Sequence, residues 1–322
     1  MKVPVLIPRI FNYPFTYDSS KTGPLEVGDI VLVPFGRNQE IGVVWDKIHE
    51  PRKKIKLRKI EKKIEHFVLK KEFVKFINWF SMYNLASKGM VLKMCLEKKD
   101  SILKKEKILF EKNLIKNNNI QLNSEQKKAL LDLKKFGDKF NVSVLQGITG
   151  SGKTLVYFER IKEILKNKKQ ALVLLPEIFL TNQFKKRFND FFKFEPAIWH
   201  SKITPKNKRE IWKGVIQNKI KLVVGARSAI TLPFNNLGII VVDEEHDSSY
   251  KQDDGLIYNA RDMAISRSYF ENIPIHLITS IPSLETFNNI KNKKYNCTKI
   301  YKRFSDYPLP KTKIINLNFS KL

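Results

Sequence analysis

Eight consecutive residues, Gly147, Ile148, Thr149, Gly150, Ser151, Gly152, Lys153 and Thr154, have the types and spacing of a loop that holds a phosphate chain. A triphosphate needs several backbone N–H groups converging on its oxygens, and glycine lets the chain wrap that closely. Gly147, Gly150 and Gly152 supply this freedom, Lys153 would set a point charge on the β and γ phosphates, and Thr154 would give its hydroxyl to Mg²⁺. The plainer alternative is a flexible glycine turn between a strand and a helix. A second stretch, Asp243-Glu244-Glu245-His246, follows the apolar run Leu237 to Val242. Asp243 could hold Mg²⁺ through water, and Glu244 could polarise a water for in-line attack on the γ phosphate. Lys153, Asp243 and Glu244 are therefore the candidate catalytic residues, with Thr154 and Asp243 as the candidate Mg²⁺ ligands. An acidic solvated loop after a core strand is the competing reading of the second stretch.

Both stretches need elements that bring them to one edge. From Leu122 onward, short β-branched runs alternate with helical periodicity, the mark of a parallel sheet covered on both faces. The expected strands are Val142 to Leu145, Ala171 to Leu175, Ala197 to Trp199, Lys221 to Val224, Ile239 to Val242 and Ile275 to Ile278. Between them helices are expected at Leu155 to Leu165, Thr181 to Phe192, Asn207 to Ile216 and Ala260 to Tyr269. In such open sheets ligands sit beyond the carboxyl ends of the strands, where the glycine loop and the acidic stretch both fall.

The preceding part reads differently. Residues 1 to about 65 show short strands (Val3 to Ile7, Phe15 to Tyr17, Ile30 to Pro34, Ile41 to Trp45, Ile55 to Ile60) separated by Gly and Pro turns. The run from Pro51 to Lys59 alternates apolar and basic side chains, as either a lysine-protected edge strand or a DNA contact would. Phe73, Phe76, Ile77 and Phe80 recur at helical spacing, and Met90 to Leu96 makes a second short helix. The expected domains are 1–96, β-rich with a terminal helical pair; 97–120, a Lys, Glu and Asn-rich linker; and 121–322, the parallel-sheet unit.

With 322 residues and 42% hydrophobic content the chain can bury a sizeable core, so disorder is not its default. Sixty Lys and Arg against 32 Asp and Glu give a formal +28, suited to a polyanionic partner, nucleic acid first. The proline-broken start is not a secretory signal, and no apolar run reaches membrane-spanning length, so no membrane partner is expected and the expected compartment is the cytoplasm. Cys95 and Cys297 stand far apart with no CxxC pair, which argues against a zinc site and a disulfide framework.

Taken in order, LNSEQKKAL, GITGSGKT, LVLLPEIFLTNQ, WHSKIT, VVGARSAITLPF and LGIIVVDEEHDSSYKQ resemble the first motor lobe of superfamily 2 helicases. More narrowly they are similar to the primosomal protein N′ (PriA) family of bacterial replication-restart helicases, and VGDIVLVPFGRNQEIGVV resembles that family's domain for a nascent 3′ end. The resemblance implies a P-loop NTPase (RecA-like) α/β lobe preceded by a small β-rich DNA-binding domain. It implies ATP and Mg²⁺ as cofactors, with zinc only in the family's second lobe, and as partners forked and single-stranded DNA, a nascent 3′ end and other primosome proteins.

It also implies residue roles. Gln126 would read the adenine edge with its amide and join the glycine loop in binding ATP; beginning a helix together with Asn123 is a compatible second role. Glu177 and Thr181, and Arg227 and Ser228, would touch the backbone of single-stranded DNA, with Arg227 either a phosphate partner or one side of a structural salt bridge. Tyr250, Lys251 and Arg261 fall in an aromatic-rich loop that would sense stacked bases, against the alternative of a functionless surface loop. His200 reads as a satisfied histidine near the DNA path, not a metal ligand.

The chain departs from the family where Ile281 replaces the last hydroxyl of a Ser-Ala-Thr motif and Asn259 replaces a histidine. The family's winged helix has room only at 97–120, so it is expected to be missing or very short, and the sequence reaches Leu322 before a second lobe. The expected function is an ATP-dependent 3′ to 5′ DNA helicase of replication restart, truncated after motor lobe 1. The alternative is a module that binds fork DNA and ATP without independent helicase activity. A small GTPase or metabolite kinase is disfavoured by the lack of an Asn-Lys-x-Asp signature.

Overall fold

The computed structural model describes residues 1–46, 56–104, 121–177, 182–303 and 313. Its first unit is an antiparallel sheet of β1 (Lys2–Leu6), β2 (Phe15–Asp18), β3 (Asp29–Phe35), β4 (Asn38–Val44) and β5 (Lys62–Val68), in the order β2-β1-β4-β3-β5. Four of these are the expected strands. The fifth is a correction: Ile55 lies outside the described residues, residues 56–60 make only an isolated bridge from Lys59 to Asp18, and the strand is Lys62–Val68. Pairing of Val31 with Lys63 and Leu32 with Lys62 turns Ile64 and Phe67 inward, so two apolar residues suffice to seat this basic strand.

Helices α1 (Lys71–Tyr83), α2 (Lys88–Cys95) and α3 (Lys99–Leu103) follow. The last lies inside the stretch read as linker, with Ile102 buried; residues 105–120 lie outside the described ones.

The second unit has seven strands: β6 (Val142–Gly147), β7 (Gln170–Leu174), β8 (Ala197–Trp199), β9 (Leu222–Gly225), β10 (Leu237–Asp243), β13 (Ile275–Thr279) and β14 (Asn296–Ile300). They run parallel in the order β14-β6-β13-β10-β7-β9-β8, while β11 (Lys251–Gln252) and β12 (Tyr258–Asn259) form a separate hairpin. The helices are α4 (Ser124–Lys134), α5 (Lys153–Lys166), α6 (Asn182–Phe192), α7 (Pro205–Ile216), α8 (Ala260–Glu271) and α9 (Leu284–Lys291). Alternate strand residues explain the layering. Leu145, Val173, Val224, Val241 and Ile278 pack under α4, α5 and α6 with Phe188 and Phe192, whereas Val144, Leu174, Val223, Val242 and Leu277 face α7 and α8 with Trp212 and Met263.

The second face continues into the N-terminal unit. Phe67 meets Trp212 with ring centroids 5.4 Å apart, the Trp212 indole N–H donates to the Cys95 carbonyl at 2.8 Å, and α1 lies on α8. Arg267 is the buried pin of this contact. Its guanidinium lies 4.4 Å from the Phe73 ring centroid, donates to the carbonyls of Ile230 and Leu232, and pairs with Glu271 at 2.7 Å. A fully buried arginine is tolerable only with such compensation by an opposite charge, hydrogen bonds and ring faces. The two units therefore share one core.

His276, in the middle of β13, is fully buried, and burial together with the nearby Arg160 charge lowers its pKa to about 3. The unfolded chain protonates this imidazole below its ordinary 6.5 and the folded chain does not, so its contribution is fully present above pH 6.5 and declines as pH falls from 6.5 towards about 3. The loss is at most about 1.4 kcal/mol per pH unit. His276→Leu is expected to flatten the fall in urea midpoint between pH 6.5 and 5, and unchanged pH dependence would show that this imidazole is not responsible.

Candidate functional site

The glycine loop begins where β6 ends and stops where α5 starts, so the strand delivers it to the carboxyl edge of the sheet. Gly150 (φ 82°) and Gly152 (φ 77°) adopt the left-handed conformation, and Gly152 is the N-cap of α5. A side chain at either position would strain the turn, which is the physical reason for these two glycines. The loop is clamped from α4. Asn123 and Gln126 form a reciprocal capping box, and the Gln126 amide also donates to the Ser151 carbonyl at 3.0 Å. Gln126 is fully buried, so here it acts as helix cap and loop clamp, with no open edge turned to a base.

Lys153 is almost fully buried and donates from Nζ to the Gly147 carbonyl at 2.7 Å. Desolvation lowers its pKa, and the charges of Glu244 and Asp243 oppose that fall. These three groups are thus within electrostatic reach, although β13 separates their strands in the sheet. At Asp243, desolvation and the neighbouring Glu244 charge raise the pKa to about 6. Asp243 Oδ2 accepts from the Tyr157 hydroxyl at 2.9 Å, and Thr154 hydrogen-bonds to the same phenol. Tyr157 thereby links the two side chains expected to hold Mg²⁺. Sequence reasoning missed it, but the signal existed, since Tyr157 stands three residues after Thr154 and shares its helix face.

These residues fit a magnesium nucleotide. A carboxylate that burial makes costly to ionise gains from a nearby cation, and the ammonium of Lys153 is aimed into the loop. Ser151 Oγ is buried with no hydrogen-bond partner among the described residues, a donor available to an anion. Thr154 and Asp243 would hold Mg²⁺, and the loop amides with Lys153 would hold the phosphates.

Behind this edge lies an ionic network. Glu245, buried, accepts from the Ser283 backbone N–H (2.8 Å), the Thr286 hydroxyl (2.9 Å) and Arg261 Nη1 (3.2 Å). Arg261 also pairs with Asp262 at 2.9 Å. This corrects the expectation for Arg261, because a guanidinium that is itself nearly buried and paired with Glu245, Asp262 and Glu285 is a strut of the acidic motif and not a surface for bases. Tyr250 needs the same correction. Only 1% of it is exposed, and its hydroxyl lies 2.5 Å from the Asp243 carbonyl and 2.9 Å from that of Leu174, bracing the strand ends. Tyr258 is also buried, its ring 5.3 Å from that of Phe80, and burial pushes its hydroxyl up to about 12.

His246 and Thr279 are bonded at 2.8 Å, and the Thr279 hydroxyl donates to the Ile281 carbonyl at 2.7 Å. The first hydroxyl of the Thr-Ser-Ile trio therefore reaches the acidic motif, whereas the Ile281 side chain is 73% exposed. Asn259 caps α8 through the Arg261 N–H.

The remaining described residues expected on DNA lie at the ends of the neighbouring strands β7 and β9 and on the β11 hairpin, each with a protein partner. Arg227 donates to the carbonyls of Ser249 (3.3 Å) and Lys251 (2.9 Å), which makes it a tether of the β11 hairpin and neither side of a salt bridge among the described residues. Ser228 accepts from the Trp199 indole N–H, exposed Glu177 accepts from Ser201, and exposed Lys251 pairs with Asp253. His200 Nδ1 accepts from the Lys202 N–H, a satisfied histidine as expected. Thr181 lies outside the described residues.

Comparison with known proteins fits this geometry. Residues 119–297 match the family described as type III restriction enzyme, res subunit, and residues 2–97 match the PriA 3′ DNA-binding domain (3′BD). Replication restart protein PriA of Rickettsia conorii is 39% identical over 326 residues, covering 99% of this chain and 48% of the relative. Those of Haemophilus influenzae and Bacillus subtilis are 45% and 36% identical over 186 and 200 residues, covering 58% and 62% of this chain and 25% of each relative. The chain spans about half the length of the Rickettsia relative. The res-subunit match takes in more than half of the chain, which therefore belongs to that family, and along nearly its whole length the chain is similar to about half of replication restart protein PriA, 3′BD match included.

Proposed function

We propose that this chain forms the 3′-end-binding and ATP-binding part of an ATP-dependent 3′ to 5′ DNA helicase of replication restart. Lys153, Asp243 and Glu244 carry the nucleotide chemistry, and a DNA fork is the substrate. The observation that supports this most directly is the convergence of Lys153 with Asp243 and Glu244 at one sheet edge, joined through the Thr154–Tyr157–Asp243 chain of hydrogen bonds. In this reading the phosphate oxygens displace the Gly147 carbonyl from Lys153, and Glu244 orients the attacking water. No helix among the described residues is long and apolar enough to cross a membrane.

A steady-state ATPase assay with and without forked DNA tests the reading. DNA-stimulated turnover that Glu244→Gln removes is expected. Binding of ATP and fork without turnover would instead favour a module that senses the fork and leaves strand separation to other parts of the protein.

DNA affinity is expected to fall steeply with salt, since the formal +28 implies several phosphate contacts and counterion release. A flat profile between 50 and 200 mM salt, measured by fluorescence anisotropy, would count against DNA as the partner. Preference for a fork with a free 3′ end is best measured on the whole chain, because removing residues 1–65 would take away β3 and the first half of β5, the pairing that holds Phe67 against Trp212.

A further inference from the structure

The glycine loop has a neighbour on the side away from Asp243. Strand β14 pairs with β6 so that Ile300 stands opposite Gly147, and the chain then passes over the loop. Its course is fixed by two bonds: the N–H groups of Tyr301 and Lys302 both donate to one carboxylate oxygen of Glu125, at 2.9 and 3.0 Å. Glu125 sits in the first turn of α4, beside the Gln126 that clamps the loop through Ser151. The next residue, Arg303, lies against Gly150, with its Cγ, Cδ and Nε each 4.0 Å from where a Cβ on Gly150 would stand. A guanidinium stem is thus carried to the apex of the loop by a segment pinned to the helix that shapes that loop.

We propose that Arg303 is a ligand of the nucleotide's phosphate chain, closing the loop from the side opposite Lys153. The proposal rests on the nucleotide reading of this site. Three considerations support it. Gly150 has φ 82° and no side chain, so at the loop apex the arginine stem meets loop backbone and no loop side chain. A guanidinium offers a planar fork of donors that matches two phosphate oxygens, whereas Lys153 offers a point charge, so the two cations are complementary and not redundant. And the anchoring through Glu125 fixes the backbone at 301 and 302 beforehand, which lowers the entropy lost when the side chain engages.

The test is equilibrium binding by the full chain with Mg²⁺, titrating ATP, ADP and tripolyphosphate against wild type, Arg303→Ala and Arg303→Lys. Arg303→Ala is expected to weaken all three ligands by a common factor of about tenfold to a hundredfold, the worth of a hydrogen bond to a charged group. Arg303→Lys is expected to recover part of that loss, and forked-DNA affinity to stay at the wild-type value in both variants. Unchanged affinity for tripolyphosphate would overturn the proposal, whether ATP binding is kept or lost, since a loss for ATP alone would put the guanidinium on the base. A loss that lysine does not recover at all would also overturn it, marking damage to the loop instead of removal of a charge. If wild type itself binds neither ATP nor tripolyphosphate, the nucleotide reading of the site fails first.

Discussion

Lys153→Ala is expected to weaken ATP and ADP binding by about a hundredfold or more while forked-DNA affinity changes by less than about twofold. The ammonium donates to the Gly147 carbonyl inside the loop, is nearly buried, and lies within electrostatic reach of Asp243 and Glu244. Removing it has two effects of the same sign. The phosphates lose a charge-assisted partner, and the two carboxylates lose the positive group that offsets their repulsion of a polyanion. The DNA surface is untouched, because Lys153 supplies one of 60 basic residues and its side chain is turned into the loop. Lys153→Arg is expected to fail as well, since the wider fork would not fit where Nζ now lies 2.7 Å from the Gly147 carbonyl. Nucleotide titration followed by a change in intrinsic fluorescence, with anisotropy for DNA, measures both arms. Nucleotide affinity kept within about twofold would remove the phosphate-binding assignment.

Much of this site was legible in the sequence because its chemistry is local. The glycine loop needs consecutive residues, and the acidic motif is the end of a strand whose own composition, Leu237 to Val242, announces a fully buried parallel strand. The strands that escaped notice, Lys62–Val68 and Asn296–Ile300, are edges of their sheets, where half the side chains face solvent and the apolar signal thins to two or three residues.

Residue roles were hidden for a different reason. Whether Tyr250 and Arg261 face DNA or the interior depends on Leu174, Glu245 and Ser283, which folding brings in from distant parts of the chain. Sequence spacing carries no trace of those contacts. Glu245 looked like a neighbour of the catalytic pair, yet it is the hub that ties β10 to α9 through Ser283 and Thr286. The shared core was hidden likewise, since the aromatic spacing of α1 predicts a buried face without saying that Arg267 of α8 will lie on it.

That network bears on how hydrolysis and DNA would communicate. The acidic motif touches the Thr279 trio through His246 and α9 through Glu245, so a shift of Asp243 and Glu244 on nucleotide binding would be felt along both connections. The second is made of short bonds around the buried Glu245, the kind of contact that moves as a unit, whereas the first runs through the exposed His246. The exposed Ile281 lies at the far end of the first connection, reached through its backbone carbonyl.

The 322-residue polypeptide assayed by itself is expected to bind ATP and forked DNA, to hydrolyse ATP slowly or not at all, and not to separate strands. The described nucleotide residues all stand on the edge of one parallel sheet, with Lys153 and Thr154 on one segment and Asp243 and Glu244 on another. By the family resemblance, hydrolysis takes place in a cleft whose opposite wall supplies an arginine finger, and this chain covers 48% of its Rickettsia relative. A finger of that kind is worth about 10³ to 10⁵ in rate in phosphoryl transfer. Without it the ground-state contacts of the loop persist, so affinity survives, while the charge that develops in the transition state goes unstabilised. Translocation requires the cleft to close and open around the nucleotide, and the described residues supply one wall of it. Adding the remaining half of a relative's chain in trans is expected to raise the rate towards that range. ATP-dependent strand separation by the purified 322-residue polypeptide, at a concentration where it sediments as a monomer, would show instead that this half of the family's chain is a complete motor.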